Sequence, residues 1–372
     1  MAARLWLDML VLPKRTSLIT QTAESLKKMI VDGDLSGTLP GEFPLKASLG
    51  VGRDTLRLSL KQLEQEGWLS AAGRGRQRVI KYQQLPVQNR EQQSRLPVTF
   101  LSPFPVVDRI TLLELDELRQ HLAQQGRELR FVCSSQLHTE RPERHLKRVV
   151  AQNPSGAWVL HWVGEHTQRW FLQQAVPAIV YGSVFTGINL PFVVNDWESA
   201  AFHAGVELTR HGHRTLALLA FETRMPGALH IERGLRRALA TVGAPTRLMV
   251  FTETGSPQAI AQALDKIFQL SIRPTALVLC SSSQLLTCFA WIASKGIAVP
   301  DMVSLICIPR DIWFEDLYPP VCHYENNPKI FARLFCQKVI ELLETGHVAR
   351  GGTSVRLNYK RGATIGAAKI TS

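Results

Sequence analysis

From Val98 onward, short apolar runs alternate with amphipathic stretches, and few folds accept that order. The runs are Val98–Leu101, Leu129–Cys133, Ala157–Trp162, Ala178–Tyr181, Thr215–Phe221, Leu248–Phe251 and Thr275–Cys280. Between them lie helical patterns such as Leu113–Gln125, Ser199–Arg210 and Pro257–Leu270. Continuous apolar runs of this length read as strands buried on both faces, and helices between them supply the crossovers of a parallel sheet. The runs are also far shorter than the roughly 18–20 residues of a membrane helix. The chain is therefore expected to hold a large α/β domain with parallel sheets over residues 98–372.

The N-terminal part has a different character. Residues 1–95 carry 15 Lys/Arg against 9 Asp/Glu, half of the excess of +12 in a chain of 372 residues. A basic excess concentrated in a quarter of the chain points to a polyanionic partner, nucleic acid first. Residues 82–97 sit in the stretch KYQQLPVQNREQQSRLP (81–97), rich in Gln, with two prolines and no apolar period, and read as a solvated linker. Residues 1–16 read as a cytoplasmic extension: Asp8 interrupts the apolar start and no small-residue cleavage site follows. The cysteines at 133, 280, 288, 307, 322 and 336 form no C-x-x-C pair and read as free thiols of a reducing compartment, with no metal site.

Within residues 17–81, Ile19, Ala23, Leu26 and Ile30 recur at helical spacing up to Gly33. A short helix around Phe43–Leu49 ends at Gly50, and a further helix buries Leu56, Leu60 and Leu63. Arg53, Arg57 and Lys61 fall at i, i+4 and i+8 and share the opposite face. Such a face is commonly just solvated, but a short helix, a turn and a basic second helix also make a helix-turn-helix. Trp68–Ser70 and Arg78–Ile80 read as two strands flanking Gly73-Arg74-Gly75-Arg76, a β-hairpin wing with arginines at its tip.

These residues resemble the winged-helix domain of the GntR family of bacterial regulators. The resemblance rests on Leu39-Pro40-Gly41-Glu42, Leu49-Gly50-Val51, Arg53, Thr55-Leu56-Arg57, Leu60, Leu63, Glu66-Gly67-Trp68-Leu69 and Gly73-Arg74-Gly75. It implies a recognition helix in the major groove and a wing tip in the minor groove. The implied DNA contacts are Arg53, Asp54, Thr55, Arg57 and Lys61 on the helix and Arg74 and Arg76 on the wing. Arginine suits that task because its fork bonds bidentately to guanine or phosphate. Gly52 replaces the usual N-cap serine, and Phe43 stands where the family often carries arginine.

Residues 98–372 resemble the effector-binding core of the LacI/GalR family, a two-lobed α/β fold of the periplasmic-binding-protein type (type I). The landmarks are Val194-Asn195-Asp196, His211-Gly212-His213-Arg214, Arg233-Gly234-Leu235, Gly296-Ile297-Ala298-Val299-Pro300-Asp301 and Val303-Ser304-Leu305-Ile306. The resemblance implies a small-molecule effector in the cleft between the lobes, where α/β sheets present the carboxyl ends of their strands. The candidate effector residues are Ser102, Phe104, Trp162, Asp196, Arg233, Ser282, Ser283, Arg310 and Trp313. Aromatic faces beside hydroxyl and carboxylate groups suit a sugar or related polar metabolite. Blander roles compete: Trp162 and Phe104 as core aromatics, the serines as a helix N-cap, Asp196 as the cap of the next helix, and His211 and His213 as structural. Ile231, Ser282-Ser283 and Cys307–Arg310 depart from the family's effector anchors.

The expected protein is a multidomain transcription regulator without catalytic activity or cofactor: a winged helix binding a two-fold operator, and a ligand-controlled core that forms a homodimer. Repression is the commoner sign in both families. The alternative is a ligand-independent DNA-binding protein whose degenerate cleft serves only dimerisation. No G-x-S-x-G, P-loop or H-E-x-x-H motif supports an enzyme.

Overall fold

A computed structural model describes residues 17–32, 34–35, 37–65, 68–70, 77–80, 96–221, 225–309, 311–345 and 351–369. The chain divides into two compact units, Met1–Glu91 and Gln92–Ser372.

The first unit holds α1 (Leu18–Asp32), α2 (Glu42–Leu49) and α3 (Arg53–Gln65). Its core contains most of the apolar set read from the sequence: Ala23, Leu26 and Ile30 of α1 pack with Leu56, Leu60 and Leu63 of α3, all at most 1% exposed, while Ile19 is only half-buried. Each leucine so buried stabilises the unit by about 1.5–3 kcal/mol. Ser59 faces that core and donates its hydroxyl to the Ile19 carbonyl at 2.8 Å, which ties α3 to α1. Gly50 ends α2 with φ +63°, a left-handed cap that needs no Cβ, and its N–H bonds back to the Lys46 carbonyl. Short extended segments close the unit: Leu39 N–H donates to Arg78 O, Ile80 N–H to Gly37 O and Ser70 N–H to Val79 O. The proposed wing tip, with Arg74 and Arg76, lies outside the described residues.

The second unit is built on two six-stranded sheets. The first has the order β11-β5-β4-β3-β1-β2, all parallel: β1 (Val98–Ser102), β2 (Leu129–Cys133), β3 (Ala157–His161), β4 (Ala178–Tyr181), β5 (Phe192–Asn195) and β11 (Gly352–Val355). The second has the order β12-β10-β9-β8-β6-β7: β6 (Thr215–Phe221), β7 (Arg247–Glu253), β8 (Ala276–Leu279), β9 (Ser304–Cys307), β10 (Cys322–Glu325) and β12 (Asn358–Lys360), the last antiparallel. Helices cover both faces of each. In lobe 1, α4 (Arg109–Gln124) and α11 (Pro328–Thr345) pack one face, and α5 (Glu143–Gln152) and α6 (Glu165–Gln173) the other. In lobe 2, α7 (Trp197–Arg210) and α8 (Pro226–Ala240) oppose α9 (Pro257–Phe268) and α10 (Ser282–Ser294). This two-sided cover explains why β1, β3, β8 and β9 are buried along their whole length.

The chain passes between the lobes at three places: from β5 to α7, from β10 to α11 and from β11 to β12. The strongest packing constraint lies just beyond the first. A Cβ on Gly234 of α8 would sit 2.3 Å from the Glu198 carbonyl oxygen of α7, and one on Gly205 of α7 would sit 2.6 Å from Ala238 Cβ. The glycine of Arg233-Gly234-Leu235 therefore serves close helix contact. His213 is likewise structural: it is 1% exposed, with Nδ1 2.8 Å from Thr275 Oγ1 and Nε2 3.1 Å from the Gly366 carbonyl. Burial holds its pKa down at about 4.

Candidate DNA-binding face and effector cleft

In the first unit, Arg53, Asp54, Arg57 and Lys61 are exposed on α3, and Thr55 is half-buried. The arginines do not hang free. Arg57 Nε donates to Glu42 Oε2 at 3.0 Å, and Arg53 Nε lies 3.6 Å from the same oxygen. Arg78 approaches Glu42 Oε1 at 3.9 Å while its Nε donates to Glu64 Oε1 at 2.6 Å. Glu42 is the first residue of α2, where the helix dipole favours a carboxylate. Beside it Phe43 is 84% exposed, an apolar ring left in solvent next to a charged cluster. Sequence reasoning missed Glu42 because its partners lie on other elements, α3 and the segment at Arg78; its position in the Leu-Pro-Gly-Glu motif was the available signal.

In the second unit, the carboxyl ends of β1 and β3 place Ser102, Phe104 and Trp162 together. Ser102 Oγ accepts the Phe104 N–H at 3.1 Å and lies 3.1 Å from His161 Nδ1. His161 is sandwiched near Phe100 and Tyr181, and burial pushes its pKa down to about 4, so it is neutral at pH 7. Trp162 adopts φ +49°, a left-handed conformation that costs a non-glycine residue roughly 1–3 kcal/mol. Its ring meets Phe104 edge-on at 5.9 Å and Phe221 of lobe 2 at 5.6 Å, so an aromatic contact spans the two lobes. Phe221 ends β6 and was missed, although the rule that ligands gather at strand carboxyl ends applies to it equally. Ser183, just after β4, was also missed; its Oγ is buried without a hydrogen-bond partner among the described residues.

The remaining candidates scatter. Asp196 caps α7, its Oδ1 accepting the Ser199 N–H at 3.1 Å, and its own N–H donates to Val355 O of β11. Arg233 is exposed on α8 and pairs with Glu198 at 3.1 Å, together with Arg237 at 2.6 Å. Ser281 is the N-cap of α10, so Ser282 and Ser283 form its first turn. Trp313 stacks edge-on against Phe314 at 4.7 Å and packs beside the lobe 2 core. None of these makes a ring or hydrogen-bond contact with the Phe104–Trp162–Phe221 group among the described residues. Arg310 lies outside the described residues.

A polar network unforeseen in the sequence sits at the lobe crossings. Glu114 of α4 is 4% exposed and bonds to the Tyr181 hydroxyl and, at 2.9 Å, to Asn326 Nδ2. Asn326 follows β10 and also reaches Asn195 Oδ1, at the end of β5, at 3.1 Å. Burial raises the Glu114 pKa to about 8, against the lowering effect of Asn326 and with help from Asp108. The carboxyl is protonated at neutral pH and can both donate and accept within the network. Asn326 thus links two of the three crossings, and Glu114 of lobe 1 anchors it.

Fold and faces define a small helical head with a basic helix face, and a two-lobed α/β core. Residues 18–79 match the family of bacterial regulatory proteins called gntR, and residues 206–364 match the periplasmic binding protein-like domain. The chain therefore carries a GntR-type helix-turn-helix domain and a periplasmic-binding-protein-like domain. It is similar to the HTH-type transcriptional repressor PurR of Actinobacillus pleuropneumoniae serotype 5b (strain L20), 24% identical over 204 residues, which are 51% of this chain and 56% of the relative. The chain thus spans little more than half the length of that relative. Two solved structures share the fold. One is a putative LacI transcriptional regulator from Bacillus cereus subsp. cytotoxis, with TM-score 0.63 and 17% identity over 73% of this chain and 99% of that one. The other is a LacI family regulator from Enterococcus faecium with bound ribose, with TM-score 0.61 and 13% identity over 73% of this chain and 100% of that one. No helix among the described residues is long and apolar enough to cross a membrane.

Proposed function

We propose that the chain is a one-component transcription regulator of the cytoplasm, most simply a repressor, whose operator binding is controlled by a small molecule in the inter-lobe cleft. The observation that carries this reading is the union, in one chain, of a GntR-type head bearing Arg53 and Arg57 in the open with a two-lobed binding-protein core. The working boundaries are residues 1–16 as extension, 17–81 as head, 82–97 as linker and 98–372 as core. Catalysis is no part of the reading; the similar proteins named above are regulators.

The effector is a sugar or related polar metabolite, as the ribose in the Enterococcus neighbour favours. Ser102, Phe104 and Trp162 meet it from lobe 1, and Phe221 and Ser183 complete the wall. Binding must separate or re-seat the Trp162–Phe221 contact, so occupancy and lobe geometry are linked through differential affinity. We assign homodimerisation to exposed apolar residues of lobe 1, Leu112 and Leu113 of α4 and Phe131 of β2. A two-fold dimer reads a two-fold operator.

Selection of bound sequences from a random duplex pool at two salt concentrations tests the DNA half. An enriched palindrome supports the reading; binding without enrichment that vanishes steeply with salt overturns it. Thermal stabilisation across a metabolite panel tests the effector half, since a ligand of the folded form alone raises stability. Operator binding with no stabilising metabolite would favour the ligand-independent alternative.

A further inference from the structure

We propose that Glu42 is a positioning residue for DNA recognition: it holds Arg53 and Arg57 in a shared, pre-ordered cluster that yields to base edges and resists capture by phosphates. The inference rests on the DNA-binding reading above and assigns a residue that reading does not use.

Three guanidinium groups gather on one carboxylate, at 3.0 Å (Arg57), 3.6 Å (Arg53) and 3.9 Å (Arg78). Arg53 and Arg57 remain 67% and 51% exposed, so both can turn to a ligand, while Glu42 is 30% exposed and set in the first turn of a helix. Arg78 is less free: it is 21% exposed and anchored to Glu64 at 2.6 Å. The hub therefore has a rigid side, Arg78 with Glu42, and a mobile side, the two arginines of α3.

Two consequences follow. An arginine already confined by a partner loses less rotamer freedom on binding than a free one, which favours the ordered complex. A carboxylate at the arginine heads also repels phosphate oxygens, and non-specific binding is almost wholly a sum of phosphate contacts. A guanine edge, which carries no net charge and takes arginine bidentately, suffers less from that carboxylate than a phosphate does. Glu42 thus lowers affinity for arbitrary duplex and raises discrimination.

The test uses the full-length chain, with Glu42→Gln, Arg57→Ala, the double variant, and Glu24→Gln as a control. Glu24 is exposed on α1 and pairs with Lys27, so its change removes the same charge without touching the arginines. Sequences are selected from a random duplex pool, and affinity for the selected duplex and for a scrambled duplex is then measured. Glu42→Gln is expected to bind scrambled duplex about threefold to tenfold more tightly and to lose about tenfold or more in the ratio of selected to scrambled affinity. Glu24→Gln leaves that ratio unchanged, the loss is smaller when Arg57 is already alanine, and the melting temperature of Glu42→Gln stays near wild type. An unchanged ratio in Glu42→Gln, or an equal change in Glu24→Gln, overturns the inference. So does a loss confined to one base position and independent of Arg57, which would make Glu42 a direct reader of that base. If the wild-type chain itself enriches no sequence, the regulator reading fails, and that outcome is distinct from failure of the role of Glu42.

Discussion

The basic face of the head, proposed above to contact DNA, and the crossings between the lobes handle charge in opposite ways. On the head, Arg53, Arg57 and Glu42 are exposed enough to exchange partners with water or DNA, and their pairing is a surface affair worth little stability. At the lobe crossings, Glu114, Tyr181, Asn195 and Asn326 bond to one another, and Glu114 and nearby His161 answer burial by shedding charge. The first arrangement keeps charges available for a partner; the second fixes geometry and makes stability depend on pH. Substitutions in the head should therefore change binding without changing folding, and substitutions in the network at the lobe crossings should change stability first.

The largest effect should come from the α7–α8 contact. Gly234→Val places side-chain atoms inside the Glu198 backbone and is expected to destabilise the core by more than about 3 kcal/mol. Chemical denaturation should show the core transition moving while that of the head stays in place; a core that tolerates valine would show that the helices separate easily.

Next comes Glu114. Its pKa is raised in the folded state from 4.5 to about 8, so the native form holds more protons than the unfolded form between those values and stability falls as pH rises through them. The low pKa values of His161 and His213 act with the opposite sign, but only below about 6.5, where the unfolded imidazoles gain protons. Between pH 6.5 and 8 Glu114 dominates, and wild type should lose stability, on the order of 1–2 kcal/mol. Glu114→Gln should flatten that window in urea titrations at a series of pH values. A slope that persists in the variant would assign it to another group.

Arg57→Ala sharpens the comparison from the other side. It should weaken operator binding by about 1–3 kcal/mol if the side chain reads a base, with unfolding unchanged. Binding isotherms on the selected duplex decide it, and a neutral result removes Arg57 from the reading set. The smallest effect expected is that of Asp196→Ala, which removes the α7 cap at a cost of about 1 kcal/mol. If the same variant also abolished stabilisation by an effector, Asp196 would belong to the ligand site as well as to the helix end.

The sequence was most legible where one element carries the whole signal. The strands at 129–133, 178–181 and 215–221 lie where their apolar runs placed them, and Leu56, Leu60 and Leu63 form the buried face of α3. The helix caps are visible in the same local way, through Asp196 on Ser199 and Ser281, beside Ser282 and Ser283, on Gln284. Much less legible were contacts between distant elements. Arg233 met Glu198 of the preceding helix, and Trp162 met Phe221 of the other lobe.

Periodicity, apolar run length and glycine placement are properties of neighbouring residues, so the chain alone determined its head, its parallel sheets and its basic helix face. Only the tertiary structure decided that Glu42 gathers arginines from α3 and beyond, that Trp162 reaches Phe221 across the lobes and that Glu114 anchors Asn326 at a crossing. The physical reason is that hydrogen bonds and ion pairs depend on distances of a few ångströms between residues far apart in sequence. Those distances exist only after the hydrophobic layers have packed.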